Sequence, residues 1–100
     1  MASRPVEIGP AGLHSARAIE CIRVALGLTQ HQLAARCTAL GRPMTNTALS
    51  RTERARRRCD IDDLVTIAVA LGISPSALLP LRATHDPLFH AADIQGAFLG

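Results

Sequence analysis

Residues 29–54 read TQHQLAARCTALGRPMTNTALSRTER and predict two short helices separated by a turn. The first helix opens at Thr29, because Thr29 and Gln32 have the S/T-x-x-E/Q spacing of a capping box. Apolar residues then follow the helical period as far as Gly41, which with the following proline ends it. We therefore expect a helix over residues 30–40.

The second helix of this pair begins after Thr45, which has the side chain of an N-cap residue. Met44 and Leu49 have the spacing of a hydrophobic staple, and the helix is expected over about residues 46–54. Its apolar stripe is narrow, so one whole face is left for polar side chains. The residues expected to point outward are Asn46, Thr47, Ser50, Arg51 and Arg54.

One helix is predicted before this pair, from about Ser15 to Leu26. Ile19, Ile22 and Leu26 recur at i, i+3 and i+7 on one face, and Gly27 is placed to end the helix in a left-handed conformation. This pattern is typical of a supporting helix that buries one face.

A fourth helix is predicted from Asp60, with acidic residues in its first turn opposing the positive end of the helix dipole. Gly72 followed by Ile73 has the form of a Schellman ending. The expected buried stripe is Ile61, Leu64, Ile67, Ala68 and Leu71.

A last short helix is predicted after Ser74, with Leu78 and Leu79 buried. The segment 1–14 is rich in Pro and Gly and is expected to be a flexible N-terminal arm. Residues 81–100 form an apolar C-terminal extension that either packs on the domain as an extra helix or tail, or joins two protomers.

The composition is that of a single globular domain and favours an all-α fold. The five predicted helices place this domain at residues 15–80. Its 100 residues are 48% hydrophobic, and the chain has no Trp or Tyr and two Phe, so it lacks the aromatic residues that favour strands. The three cysteines have no C-x-x-C spacing, which indicates neither a zinc site nor a disulfide framework. With no long apolar run and no leader, we expect a cytoplasmic protein without metal or other cofactor.

The charge of the chain is unevenly distributed. Residues 36–58 hold seven Arg against a single Glu, a net charge of +6, whereas residues 59–100 hold five Asp against one Arg, a net charge of −4. A strongly positive segment next to an acidic one is typical of a protein surface that binds a polyanion. An ordinary solvated charged face is the alternative interpretation.

The order of these elements resembles the phage-repressor and Cro-type helix-turn-helix family, the Xre family, over residues 16–79. The segments that carry the resemblance are IRVALGLTQHQLAARC, TNTALSRTERARRR and DIDDLVTIAVALGISPSALL. The resemblance implies a five-helix, lambda-repressor-like bundle. It also implies a DNA-binding transcriptional regulator, not an enzyme, in which the second helix crosses the DNA backbone and the third lies in the major groove.

Residue roles follow from this resemblance and from side-chain chemistry. The residues expected to read base edges are Asn46, Thr47, Ser50 and Arg51, since Asn pairs with adenine and Arg with guanine through two hydrogen bonds each. Those expected on phosphates are Thr29, Gln30, Thr45, Arg54, Arg56, Arg57 and Arg58. Glu53 and Arg57 have the i, i+4 spacing of an ion pair that would withdraw one of these cations.

The sequence departs from the family pattern between the two central helices. Ala34 occupies the small-residue position and Leu49 the apolar anchor, but the two are five residues farther apart than the pattern expects. Thr38 stands where the family usually has the Gly of a tight turn, and Thr52 stands at a commonly aliphatic position. The angle of the third helix therefore has to be found from the structure.

Three functions compete at this point. The first is sequence-specific binding of double-stranded DNA as a homodimer that reads half-sites about 34 Å apart or a multiple of that. The second is a protein-interaction module that docks a partner through Leu88, Phe89, Ile94 and Phe98 of the extension. The third, an enzyme, has the least support, because the four histidines are scattered and no base is placed near Ser50, Cys21 or Cys59 in the sequence.

Overall fold

A computed structural model describes residues 7–80, which form four α-helices and one 3₁₀ helix, with no strand in that part of the chain. The helices are α1 Pro10–Ala25, α2 Gln30–Ala39, α3 Asn46–Glu53 and α4 Ile61–Leu71, and the 3₁₀ helix is Pro75–Leu78. The fold is all-α, as the sequence predicts, and the fifth element is a single 3₁₀ turn. The predictions for residues 81–100 lie outside the described residues.

The first helix begins at Pro10, five residues before the predicted start at Ser15. Proline is favourable there because it needs no hydrogen-bond partner at the first helical position and its φ is already helical. Residues 10–14, which the sequence assigned to a flexible arm, are therefore helical.

Every element contributes at least one large apolar side chain with no exposed surface to a single core. These side chains are Ile19, Leu33, Leu49, Ile67 and Leu78. Cys37 is buried among them, and burial raises the pKa of its thiol. A side-chain hydrogen bond also closes the domain, because the buried Ser15 hydroxyl donates to the Leu78 carbonyl at 2.7 Å.

Three residues predicted to be buried are exposed. Ile61 is 73% exposed, Leu26 is 52% exposed and Leu79 is 37% exposed. Each lies at an end of its element, where the helical period continues but no neighbouring element covers the side chain. The remaining members of the predicted α4 stripe are buried.

The helix ends are set by local backbone chemistry. The Schellman ending predicted for α4 is present: the N–H of Ile73 donates to the Ala68 carbonyl at 3.0 Å, and Gly72 has a φ of +75°. The end of α3 has the same type of hydrogen-bonded ending, but there Ala55 occupies the left-handed position with a φ of +57°. An alanine there is strained, because its Cβ crowds the following carbonyl.

Candidate nucleic-acid interface

The start of α2 is built by the predicted capping box. The Gln32 N–H donates to Thr29 Oγ1 at 3.0 Å, and the Thr29 N–H donates to Gln32 Oε1 at 2.8 Å. The N–H groups of Gln30 and His31 lie in the first turn and have no intrahelical acceptor. Since Thr29 is exposed, this end of α2 offers free donors and a partial positive charge to an anion.

The start of α3 has the same construction. Thr45 Oγ1 accepts a hydrogen bond from the Ala48 N–H at 2.9 Å, and Leu49 is buried beneath the helix. The polar face is open to solvent: Asn46, Thr47 and Arg51 are exposed and Ser50 is half-buried. All four side chains predicted to read bases therefore lie on the outer side of one helix, and Ser50 is the least accessible of them.

The lengthened connection leaves the contact between α2 and α3 intact. Ala34 and Leu49 are both buried in the core, as their family positions predict. Thr38 closes the connection, because its Oγ1 donates to the Ala34 carbonyl at 3.1 Å and accepts from the Met44 N–H at 3.1 Å. The extra residues thus form a loop between Thr38 and Met44. The hydrogen bonds of Thr38 hold the two ends of this loop together and so fix where α3 begins.

A buried ion pair holds the other end of α3. Arg23 Nε and Nη2 donate to the two carboxylate oxygens of Glu53 at 2.7 and 3.0 Å, and Arg23 Nη1 donates to the Leu28 carbonyl at 2.8 Å. The Gln30 side-chain amide donates to the same carboxylate at 2.9 Å. Glu53 therefore joins α1, the start of α2 and the end of α3, and its hydrogen bond raises the pKa of Arg23.

The predicted Glu53–Arg57 ion pair is wrong, because Glu53 is turned inward to Arg23. Arg57 instead donates from Nη1 to Thr52 Oγ1 at 2.9 Å and lies 3.5 Å from Asp63 Oδ2. Thr52 is buried at its commonly aliphatic position, where its hydroxyl also donates to the Ala48 carbonyl at 2.9 Å.

The arginines of residues 36–58 divide into two groups. In the first group, Arg36 donates to the Ala70 carbonyl, Arg42 binds Asp63 at 2.8 Å and Asp60 at 3.1 Å, and Arg57 is held by Thr52 and Asp63. Four others are exposed and have no ion-pair partner among residues 7–80: Arg51, Arg54, Arg56 and Arg58. The positive field predicted from the sequence is therefore carried mainly by α3 and the loop that follows it.

These cations lie beside the polar face of α3. A shallow surface concavity is lined by Thr45, Thr47, Ala48, Arg51 and Arg57. A second concavity, between α2 and α3, is lined by residues that include His31, Ala35, Thr38 and Asn46. Hydrogen-bonding side chains, guanidinium groups and two helix starts thus share one surface.

Comparison with known proteins decides the family. The helix-turn-helix family profile matches residues 22–78, more than half of the chain. The chain belongs to the Xre-type helix-turn-helix family. No curated protein matches it.

Several solved structures share this helix-turn-helix fold. An XRE-family-like protein from Pseudomonas syringae pv. tomato is 34% identical, with a TM-score of 0.54 over 74% of this chain and 88% of that one. The restriction-modification controller protein C.Esp1396I is 26% identical, with a TM-score of 0.59 over 72% and 88%. The clp gene regulator ClgR from C. glutamicum is 25% identical, with a TM-score of 0.63 over 80% and 99%.

Three residues of this helix-turn-helix domain were missed by the sequence reasoning: Arg23, Arg42 and Asp63. Asp63 accepts from Arg42 and faces Arg57, and it forms a reciprocal capping box with Asp60. The D-x-x-D spacing at residues 60–63 is a signal that could have found the capping box. The ion pairs of Arg23 and Arg42 join residues 18 to 30 positions apart, and the helical period carries no such information.

Among residues 7–80, no three or more His, Cys, Asp or Glu side chains are grouped so that they could hold a metal ion. None of the helices described here has the length and apolar character needed to cross a membrane.

Proposed function

We propose that this chain is a transcriptional regulator that binds double-stranded DNA in a sequence-specific manner, with α3 in the major groove. The observation that carries the proposal is the outward polar face of α3 next to two open helix starts and four arginines that have no ion-pair partner among residues 7–80. The regulators and controllers among its structural relatives support the same class of function.

Within this proposal, base edges are read by Asn46, Thr47, Ser50 and Arg51. Arg51 is exposed and unpaired within the described residues, so its guanidinium can form two hydrogen bonds to guanine without breaking an existing contact. Asn46 is in the first turn of α3, where the recognition helices of such domains meet the bases.

Phosphates are bound at both helix starts and by the loop after α3. At α2 and α3 the contacts come from Thr29, Gln30 and Thr45 together with the free first-turn N–H groups. The exposed Arg54, Arg56 and Arg58 supply positive charge that no acidic side chain in the described part of the chain pairs with. Arg57, predicted to belong with them, is already held by Asp63 and Thr52. The side chain of Gln30 is held by Glu53, which fixes its position at the start of α2.

A homodimer is part of the proposal, because a single short recognition helix offers few base contacts. Two copies would read half-sites about 34 Å apart or a multiple of that. Selection of bound sites from random duplex DNA tests both points at once. We expect a palindromic consensus with this spacing and an affinity that falls steeply with salt.

Two variants separate the roles of the side chains. Arg51→Ala should relax the preference at one base position, since a lost bidentate contact removes about 1–3 kcal/mol of discrimination. Arg54→Ala, three residues away with the same change of charge, should weaken binding to all sequences alike and lower the salt slope by about 0.9. Equal, sequence-blind losses in both would contradict the assignment of Arg51.

The competing function is a protein-interaction module that docks through residues 81–100. It predicts that the chain binds no DNA, or binds with little dependence on salt. Such a result from the selection would overturn the DNA-binding proposal.

A further inference from the structure

Asp63 is a buried carboxylate that connects both loops flanking α3. Its side chain is 5% exposed and lies in the first turn of α4. Oδ1 accepts from Arg42 Nε at 2.8 Å, and Oδ2 lies 3.5 Å from Arg57 Nη1 and accepts from the Asp60 N–H at 3.3 Å. A buried carboxylate needs such partners, and their number fixes its orientation.

Arg42 secures the side of Asp63 that faces the connection between α2 and α3. Its Nη2 also binds the Asp60 carboxylate at 3.1 Å, and the hydrogen bond to Asp63 raises the pKa of Arg42. The carboxylate therefore keeps one orientation, with Oδ2 directed to Arg57.

Arg57 is held by two contacts to the same nitrogen. Nη1 donates to Thr52 Oγ1 at 2.9 Å and faces Asp63 Oδ2, while the Thr52 hydroxyl is itself fixed by its bond to the Ala48 carbonyl. The edge formed by Nε and Nη2 has no hydrogen-bond partner among residues 7–80. A guanidinium fixed on one edge offers the other for a bidentate contact, with less entropy to lose on binding.

Arg57 is also one of the residues that line the concavity shared with the predicted base readers Thr47 and Arg51. Arg58, the next residue, is exposed and has no ion pair in the described part of the chain. The two neighbouring arginines therefore differ in preorganisation and not in charge.

We propose that Arg57 is a specificity-determining residue that reads a base edge, and that Asp63 is the positioning residue that holds it there. This inference rests on the proposed DNA binding and changes the role of Arg57 from a general phosphate contact to a directional one. Asp63 acts through Arg57 without touching DNA.

The test is selection from random duplex DNA with wild type, Arg57→Lys and Asp63→Asn, and with Arg58→Lys as the matched control. Arg57→Lys keeps the charge but loses the planar fork. We expect discrimination at one base pair to fall about 10-fold or more, with the salt slope unchanged. Asp63→Asn should reduce discrimination at the same base pair, and Arg58→Lys should leave the consensus unchanged.

Far-UV circular dichroism of each variant establishes that it is folded. If Asp63→Asn does not fold, Thr52→Val replaces it, because it removes the other contact of Arg57 with little change in shape, and it should affect the same base pair. An unchanged consensus for Arg57→Lys, in a wild-type chain that binds DNA selectively, overturns this inference alone. A wild-type chain that binds no DNA overturns the proposed function as well.

Discussion

The buried Arg23–Glu53 ion pair leads to a sharp prediction about stability. In Glu53→Ala, the Arg23 guanidinium loses both of its carboxylate contacts and keeps only the Leu28 carbonyl. The side chains of Arg23 and Glu53 are 11% and 2% exposed, so solvent cannot replace the missing partner. Removing one member of such a pair costs about 3–5 kcal/mol.

This loss is large for a domain of this size. At about 0.05–0.15 kcal/mol per residue, some 75 residues have a free energy of unfolding of about 4–11 kcal/mol. Glu53→Ala should therefore lose at least about a quarter of its free energy of unfolding, and nearly all of it where the wild-type value lies at the low end of this range. The measurement is urea denaturation followed by far-UV circular dichroism, because a chain without Trp or Tyr has no useful intrinsic fluorescence.

Two further variants make the reasoning refutable. Glu20→Ala removes an exposed carboxylate on α1 and should change the free energy of unfolding by less than about 0.5 kcal/mol. Arg23→Met combined with Glu53→Leu removes both charges and should be more stable than either single variant. A loss below about 1 kcal/mol in Glu53→Ala, or a double variant as unstable as the sum of the singles, would refute the account of a desolvated pair.

The remaining predictions concern the backbone and the thiols. Ala55→Gly should raise the free energy of unfolding by about 0.5–1 kcal/mol, because glycine relieves the left-handed strain, whereas Ala35→Gly inside α2 should lower it by about 1 kcal/mol. Equal losses in both, in urea titrations, would contradict the strain. Burial raises the pKa of the Cys59 thiol from 9.0 to about 11. The unfolded thiol therefore ionises first, and stability should fall as the pH rises from about 9 to about 11. Cys59→Ala should reduce this fall, and an identical pH profile would contradict the assignment. Under native conditions a thiol reagent should modify the exposed Cys21 rapidly and the buried Cys37 only on unfolding; equal rates would contradict the burial.

The sequence predicts those parts of the fold that depend on neighbouring residues. The capping box at Thr29, the N-cap at Thr45 and the Schellman ending at Gly72 each involve residues within one or two turns, and all three are present. The same short range explains why the polar face of α3 could be assigned before its surroundings were known. Local chemistry thus fixes where helices start and stop, and which face is polar.

Features that depend on distant residues could not be predicted in this way. Leu79 continues an apolar pattern, but no neighbouring element in the described part of the chain covers its side chain, which is therefore exposed. Arg57, four residues after Glu53, has the spacing of an ion-pair partner. Glu53 instead pairs with Arg23, 30 residues earlier, because that contact is desolvated and bidentate. The burial of a charge and the choice of its partner are properties of the assembled core.

The hydrogen bond from Ser15 to the Leu78 carbonyl has a topological consequence. It joins the first helix to the last 3₁₀ turn, so the polypeptide enters and leaves the domain at neighbouring points. A short flexible linker could connect Gly9 to Pro80, and new termini could then be opened in a surface loop to give a circular permutant.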